Sequence, residues 1–267
     1  MASPLRAFFR ILVYLTLTAA LLPVQVLALR FSPSLSARLP LTYHRLCTKI
    51  LGFRVRTHGK IKNEAPVLFV CNHTSYSDIA IMGSLLPASF VAKSEVSKWP
   101  FFGFLAKLQR TVFVDRRRKR TMEQRDAIIQ RLEAGDNLIL FPEGTSSDGN
   151  FVLPFKSALF SVAQEEPLGK PLFVQPVSVA YTRLDGMPIG RALRPYFAWY
   201  GDMTLAPHFW EVSGMGQITV DVIFHCPVTI SEYDTRKELA DYCHAVVEQG
   251  VSLANAGRLD SLLIRVY

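Results

Sequence analysis

Two short strings in this sequence combine residues able to move a proton with residues able to hold them in place. The first is Asn72-His73-Thr74-Ser75-Tyr76-Ser77-Asp78, directly after the apolar run VLFVC. A histidine at the C-terminal end of a buried strand lies where open α/β sheets place their ligands. Asp78 falls at the start of the next predicted helix, and a turn can bring its carboxylate to one imidazole nitrogen. That contact fixes the tautomer, raises the basicity and leaves the other nitrogen free to take a proton. The competing reading is a core or surface histidine beside an unrelated aspartate. The second string runs from Phe141 to Gly149, FPEGTSSDG, again after an apolar run. Gly144 allows close backbone approach to a ligand, and nearby amides and hydroxyls can donate to an oxyanion. A plain strand-to-helix turn uses the same residue types.

Both strings need a scaffold that delivers strand ends to one place. Predicted strands cover Pro66–Cys71, Ser89–Lys93, Thr111–Asp115, Asn137–Phe141, Leu172–Tyr181 and Ile218–Phe224. Several are near-continuous apolar runs, as in sheets covered on both faces. Helical patterns over Asp78–Leu86, Phe101–Leu108, Thr121–Ala134, Phe155–Gln164 and Thr235–Ala254 alternate with them. The alternation predicts an α/β fold, a mixed and largely parallel sheet flanked by helices.

The 267 residues carry a net charge of +8, but unevenly. No acidic residue precedes Glu64, whereas ten basic ones do, which leaves 20 basic against 22 acidic groups in the rest. A nucleic-acid-binding body would carry its own basic patch, so the pattern points to a membrane surface and not to DNA or RNA. Ile11–Leu29 is free of charge and as a helix would span about 28 Å, close to the thickness of a hydrocarbon core. Residues 1–63 therefore read as a basic, apolar membrane-anchoring arm with a linker over Ser32–Pro40, and residues 64–267 as one body. Basic flanks on both sides suit a segment whose two ends face the same leaflet; a crossing helix is the alternative, and a cleaved signal peptide a lesser one because VQVLALRF offers a poor cleavage site. Cys47, Cys71, Cys226 and Cys243 show neither disulfide nor zinc-finger spacing and suit a reducing compartment.

In this order and about seventy residues apart, the two strings resemble the NHxxxxD and FPEGTRS blocks of the lysophospholipid/glycerolipid acyltransferases, typified by 1-acylglycerol-3-phosphate acyltransferase. Thr111–Arg116 (TVFVDR) is similar to the family's F-[IV]-D-R block and Val174–Val179 (VQPVSV) to its V-[PQ]-V block. The resemblance covers about residues 51–227. It implies a membrane-anchored acyltransferase domain with His73 as general base and Asp78 as its orienting partner. Glu143, Gly144 and Thr145 would then bind the acceptor, with Arg116 on its anionic head group. The donor would be an acyl thioester of acyl carrier protein or coenzyme A, with no metal or organic cofactor. The localisation implied is the bacterial inner membrane, with the active site facing the cytoplasm. Ser146 replaces the arginine of the FPEGTRS block, removing a bidentate phosphate partner. That change, with EGTSSDGN, VLPFKSALF and Trp199–Met203, is similar to the branch that acylates lyso-ornithine lipid. Lysophosphatidate is the alternative acceptor. A non-catalytic lipid-binding protein and a hydrolase using His73 to activate water are the more distant readings.

The run Arg116–Arg120 is either a solvated helix start or a contact for anionic lipid or acyl carrier protein. Trp199, Trp210, Phe197, Tyr200 and Phe209 fit ordinary core as well as an acyl tunnel. Asp234–Glu238 reads as a capped helix start.

Overall fold

The computed structural model describes residues 2–64, 66–114, 121–164 and 169–260. The chain opens with two helices, α1 (Pro4–Phe31) and α2 (Pro33–Ile50). They pack antiparallel: Thr18 meets the Tyr43 hydroxyl at 2.9 Å, Gln25 Nε2 donates to the Ser36 carbonyl at 3.1 Å, and the Arg10 guanidinium lies against Gly52. The hairpin thus returns the chain to the level of Arg10. Phe8, Phe9, Leu12, Leu27 and Phe31 remain exposed on it.

The expected linker over Ser32–Pro40 is helix instead. Pro33 sits in the first turn, where a missing N–H is no loss. Pro40 deprives the carbonyl four residues back, Ser36 O, of its donor, and the Gln25 side chain supplies one. The proline signals a break only until a neighbouring helix fills the gap.

The remaining elements are β1 (Phe53–Gly59), β2 (Val67–Cys71), α3 (Ser77–Leu85), β3 (Ala88–Lys93), α4 (Phe102–Leu108), β4 (Val112–Val114), α5 (Thr121–Glu133) and β5 (Asn137–Leu140). They are followed by β6 (Phe173–Leu184), β7 (Met187–Pro188), α6 (Leu205–Gly214), β8 (Ile218–Phe224) and α7 (Arg236–Asn255). Among the described residues the strands form one sheet in the order β1-β8-β6-β2-β5-β3-β4, with β7 on β6. The pairings of β6 with β7 and β8 are antiparallel and the rest parallel, a mixed and largely parallel sheet as expected. Residues 53–59, assigned from the sequence to the membrane-proximal arm, form an edge strand of this sheet. Their basic side chains hid the strand: Arg56 donates two hydrogen bonds to the buried Asp221 of β8, at 2.8 and 2.7 Å. The helical pattern of Phe155–Gln164 winds more tightly, as 3-10 turns over Ser157–Gln164, and α6 lies where only an aromatic cluster was read.

Each strand of the centre buries both faces. Val67, Phe69 and Cys71 pack with Ile81 and Met82 of α3 and Val212 of α6. Leu68 and Val70 pack with Leu132 of α5 and with Leu239, Cys243 and Val247 of α7. The capped start of α7 is present, with Thr235 accepting the Glu238 N–H at 3.2 Å. Burying a large apolar side chain contributes about 1.5–3 kcal/mol, so this double core holds β2 firmly at the centre.

α2 docks on α3 through Gly83. A Cβ there would meet the His44 ring at 2.5 Å, and Arg45 donates to the Ser84 carbonyl at 3.0 Å. Gly83→Val should therefore cost about 1–3 kcal/mol by overpacking and lower the melting temperature by several degrees. An unchanged melting temperature would show that α2 moves aside freely.

Candidate active site

The end of β2 feeds the turn 72–76, and α3 begins at Ser77. Asn72 anchors the turn by exchanging two hydrogen bonds with the Val179 backbone of β6, at 2.9 and 2.7 Å. His73 Nδ1 then lies 2.8 Å from Asp78 Oδ2. The same oxygen accepts the Thr74 and Ser75 amides at 2.7 and 2.9 Å, and Asp78 Oδ1 accepts the Tyr181 hydroxyl at 2.7 Å. Burial and the Asp78 charge push the Tyr181 phenol well up, so it keeps its proton and donates. With both oxygens facing fixed donors, the fully buried Asp78 acts as an acceptor-only carboxylate. Nδ1 of His73 must therefore carry the proton, and Nε2 carries the lone pair. The imidazole is stacked on Phe141 at 4.3 Å and its side chain is 20 % exposed, open to a reactant.

The second string closes on the first. Ser147 N donates to the His73 carbonyl at 2.9 Å, and Trp199 N to the Thr74 carbonyl at 2.9 Å. Ser146 Oγ donates to the Trp199 carbonyl at 2.5 Å. Glu143 is buried, and its two oxygens accept the His73 amide at 2.5 Å and the Leu153 amide at 2.8 Å. Its contacts are with the protein backbone, so any acceptor positioning by Glu143 runs through the loop it holds. Burial pushes its carboxyl up to about 8 against the pull of those two amides. Gly144 turns the loop at φ +65, a conformation that favours glycine, beneath the Lys156 ammonium. Thr145 is exposed at the rim. Arg116 and the whole run Arg116–Arg120 lie outside the described residues.

A cavity of about 250 Å³ opens between the hairpin, α3, β3 and α4. Tyr76, Phe90, Leu21, Leu22, Leu105 and Phe209 line it, with Phe209 edge-on to Tyr76 at 5.9 Å. Phe90 is stacked on Phe141, the ring beneath His73, at 6.2 Å. Phe141 thus lies between the His73 imidazole and Phe90 of the cavity wall, and a proton acceptor one ring away from an apolar cavity suits a reaction at the end of a fatty chain. Tyr181 and Phe141 were missed as site residues because each reads as one more apolar position in a strand. A second Ser–His pair, Ser178 and His225 at 2.8 Å, is not a nucleophile: the serine donates to the Val247 carbonyl, and Gly250 packs over both.

The family model described as Acyltransferase matches residues 52–180. The lyso-ornithine lipid O-acyltransferase of Brucella abortus is 46 % identical over 244 residues, covering 90 % of this chain and 91 % of that one. The chain belongs to the acyltransferase family. A lyso-ornithine lipid O-acyltransferase of Rhizobium meliloti is 43 % identical, over 82 % of this acyltransferase and 77 % of that one. The 1-acyl-sn-glycerol-3-phosphate acyltransferase of Neisseria gonorrhoeae is 34 % identical, over 66 % and 65 %. The fold matches the crystal structure of the 1-acyl-sn-glycerophosphate (LPA) acyltransferase PlsC from Thermotoga maritima. That match has a TM-score of 0.64 at 23 % identity and covers 93 % of this chain and 92 % of the other. The family match starts at residue 52, so it takes in the edge strand β1.

Proposed function

We propose that this enzyme moves a fatty acyl group from a thioester to the hydroxyl of a lysolipid, and that the lysolipid is lyso-ornithine lipid. The observation that carries the reading is His73 Nε2, without a partner among the described residues, one ring (Phe141) away from the apolar cavity wall, with its tautomer fixed by Asp78. The acceptor hydroxyl gives its proton to Nε2 as its oxygen attacks the thioester carbonyl. The tetrahedral intermediate collapses with loss of the thiolate, which takes the proton back from the imidazolium. An ester and a free thiol leave, and the enzyme is unchanged. Direct attack needs no acyl-enzyme, metal or organic cofactor. The donor is acyl carrier protein or coenzyme A carrying the acyl thioester. Gly144, Thr145 and Arg116 contact the acceptor, with Glu143 bracing the loop of Gly144 and Thr145.

The α1–α2 hairpin, with both ends at one level and its apolar side chains exposed, fits insertion into one leaflet of the bacterial inner membrane, the site facing the cytoplasm. Ser146 supports the ornithine head group over a phosphate, because its hydroxyl is spent on Trp199 and it brings no charge. Purified enzyme given equal amounts of lyso-ornithine lipid and lysophosphatidate should acylate the former faster. Turnover of lysophosphatidate alone would overturn the assignment of the acceptor and leave acyl transfer standing.

A further inference from the structure

We propose that the inner end of the cavity is a polar subsite that recognises a hydroxyl carried on a lipid chain. This rests on the reading that the cavity holds such a chain. Three of its lining side chains, Gln25, His44 and Gln109, each bury a polar atom without a hydrogen-bond partner among the described residues: Gln25 Oε1, His44 Nδ1 and Gln109 Nε2. Their other atoms are engaged, which fixes what each orphan can do. His44 Nε2 lies 2.9 Å from Gln109 Oε1. An amide oxygen only accepts, so Nε2 carries the proton and Nδ1 the lone pair. Gln25 Nε2 donates to the Ser36 and Leu108 carbonyls at 3.1 and 2.8 Å, which turns Oε1 away as a free acceptor. The cluster therefore offers two acceptors and one N–H donor.

Each such atom left unpaired costs about 1–3 kcal/mol, and a plain hydrocarbon chain relieves none of that cost. A carboxylate or a ketone could accept from Gln109 but would face the two acceptors with no proton. A hydroxyl accepts from Gln109 Nε2 and donates to Gln25 or His44. A water would also satisfy the cluster, and it is the outcome against which the proposal is tested. His44 packs on Gly83, five residues along α3 from Asp78 and so about 7 Å down the helix. The recognised hydroxyl therefore lies several methylenes from the reacting carbonyl and is not the acceptor hydroxyl itself.

The test uses the detergent-solubilised full chain and pairs of lipids of equal length, with and without a mid-chain hydroxyl. One arm varies the acyl thioester and the other the chain of the lysolipid, which identifies the chain that occupies the cavity. The enzyme should favour the hydroxylated member by about tenfold in kcat/KM in one arm, the worth of one net hydrogen bond. Gln109→Leu should bring that ratio close to one. His44→Phe, which keeps a ring against Gly83, should do so independently, in case the first variant fails to fold. A ratio near one for the native enzyme in both arms, or a preference that survives both substitutions, would overturn the proposal and leave the cluster a water site. Turnover of neither lipid in either arm would instead overturn the underlying acyl-transfer reading, and the proposal with it.

Discussion

His73→Ala should lower kcat for acyl transfer by about 10²–10⁴-fold, the usual contribution of a positioned general base, with the fold retained. The fold should survive because His73 is a turn residue whose backbone is held from elsewhere. Its amide is fixed by Glu143 and its carbonyl by Ser147. The side chain adds only the bond to Asp78 and the stack on Phe141. Circular dichroism and a melting curve within a few degrees of the native enzyme would accompany the lost turnover. Unchanged kcat would remove His73 as the base. Free fatty acid released by the native enzyme in place of acylated lipid would point to water as the nucleophile.

Glu143→Ala should lower stability by about 2–6 kcal/mol, because two partly buried backbone N–H groups lose their acceptor at about 1–3 kcal/mol each. Activity should fall by more than tenfold as well, since the lost acceptor is what fixes the His73 backbone, and small misplacements of a catalytic group are costly. The isosteric Glu143→Gln separates charge from geometry. With the folded carboxyl raised to about 8 from an ordinary value near 4.5, the folded state holds a proton that the unfolded chain has lost across that window. Stability must then decline as pH rises from about 4.5 to about 8 and level off above. Melting curves of native protein and Glu143→Gln across that range should converge or cross as the native curve falls. Parallel curves would show that the carboxylate is ionised throughout, held by its two amides.

The chemistry-bearing strings were legible because their spacing is local. His73 and Asp78 stand five positions apart across one turn into α3, and FPEGTSS occupies one loop. The central strands were legible too, since VLFVC and NLIL are apolar on both faces and only a doubly covered sheet accommodates that. What escaped was set by partners distant in the chain. β1 looked like part of a basic arm because Arg56 finds its counter-charge on Asp221, far along the sequence. α2 looked like a linker because its proline defect is repaired by Gln25 from α1.

The sequence by itself determined the α/β class, the family and the pair His73–Asp78. Each rests on residue types and short spacings that survive without knowledge of contacts. Only the tertiary structure decided which nitrogen of His73 is free, since four donors converge on Asp78 from two elements. It alone turned Glu143 inward as a brace and closed a hairpin over an apolar cavity with a polar end. Those outcomes depend on burial and on long-range hydrogen bonds, and neither is written in any single segment of the chain.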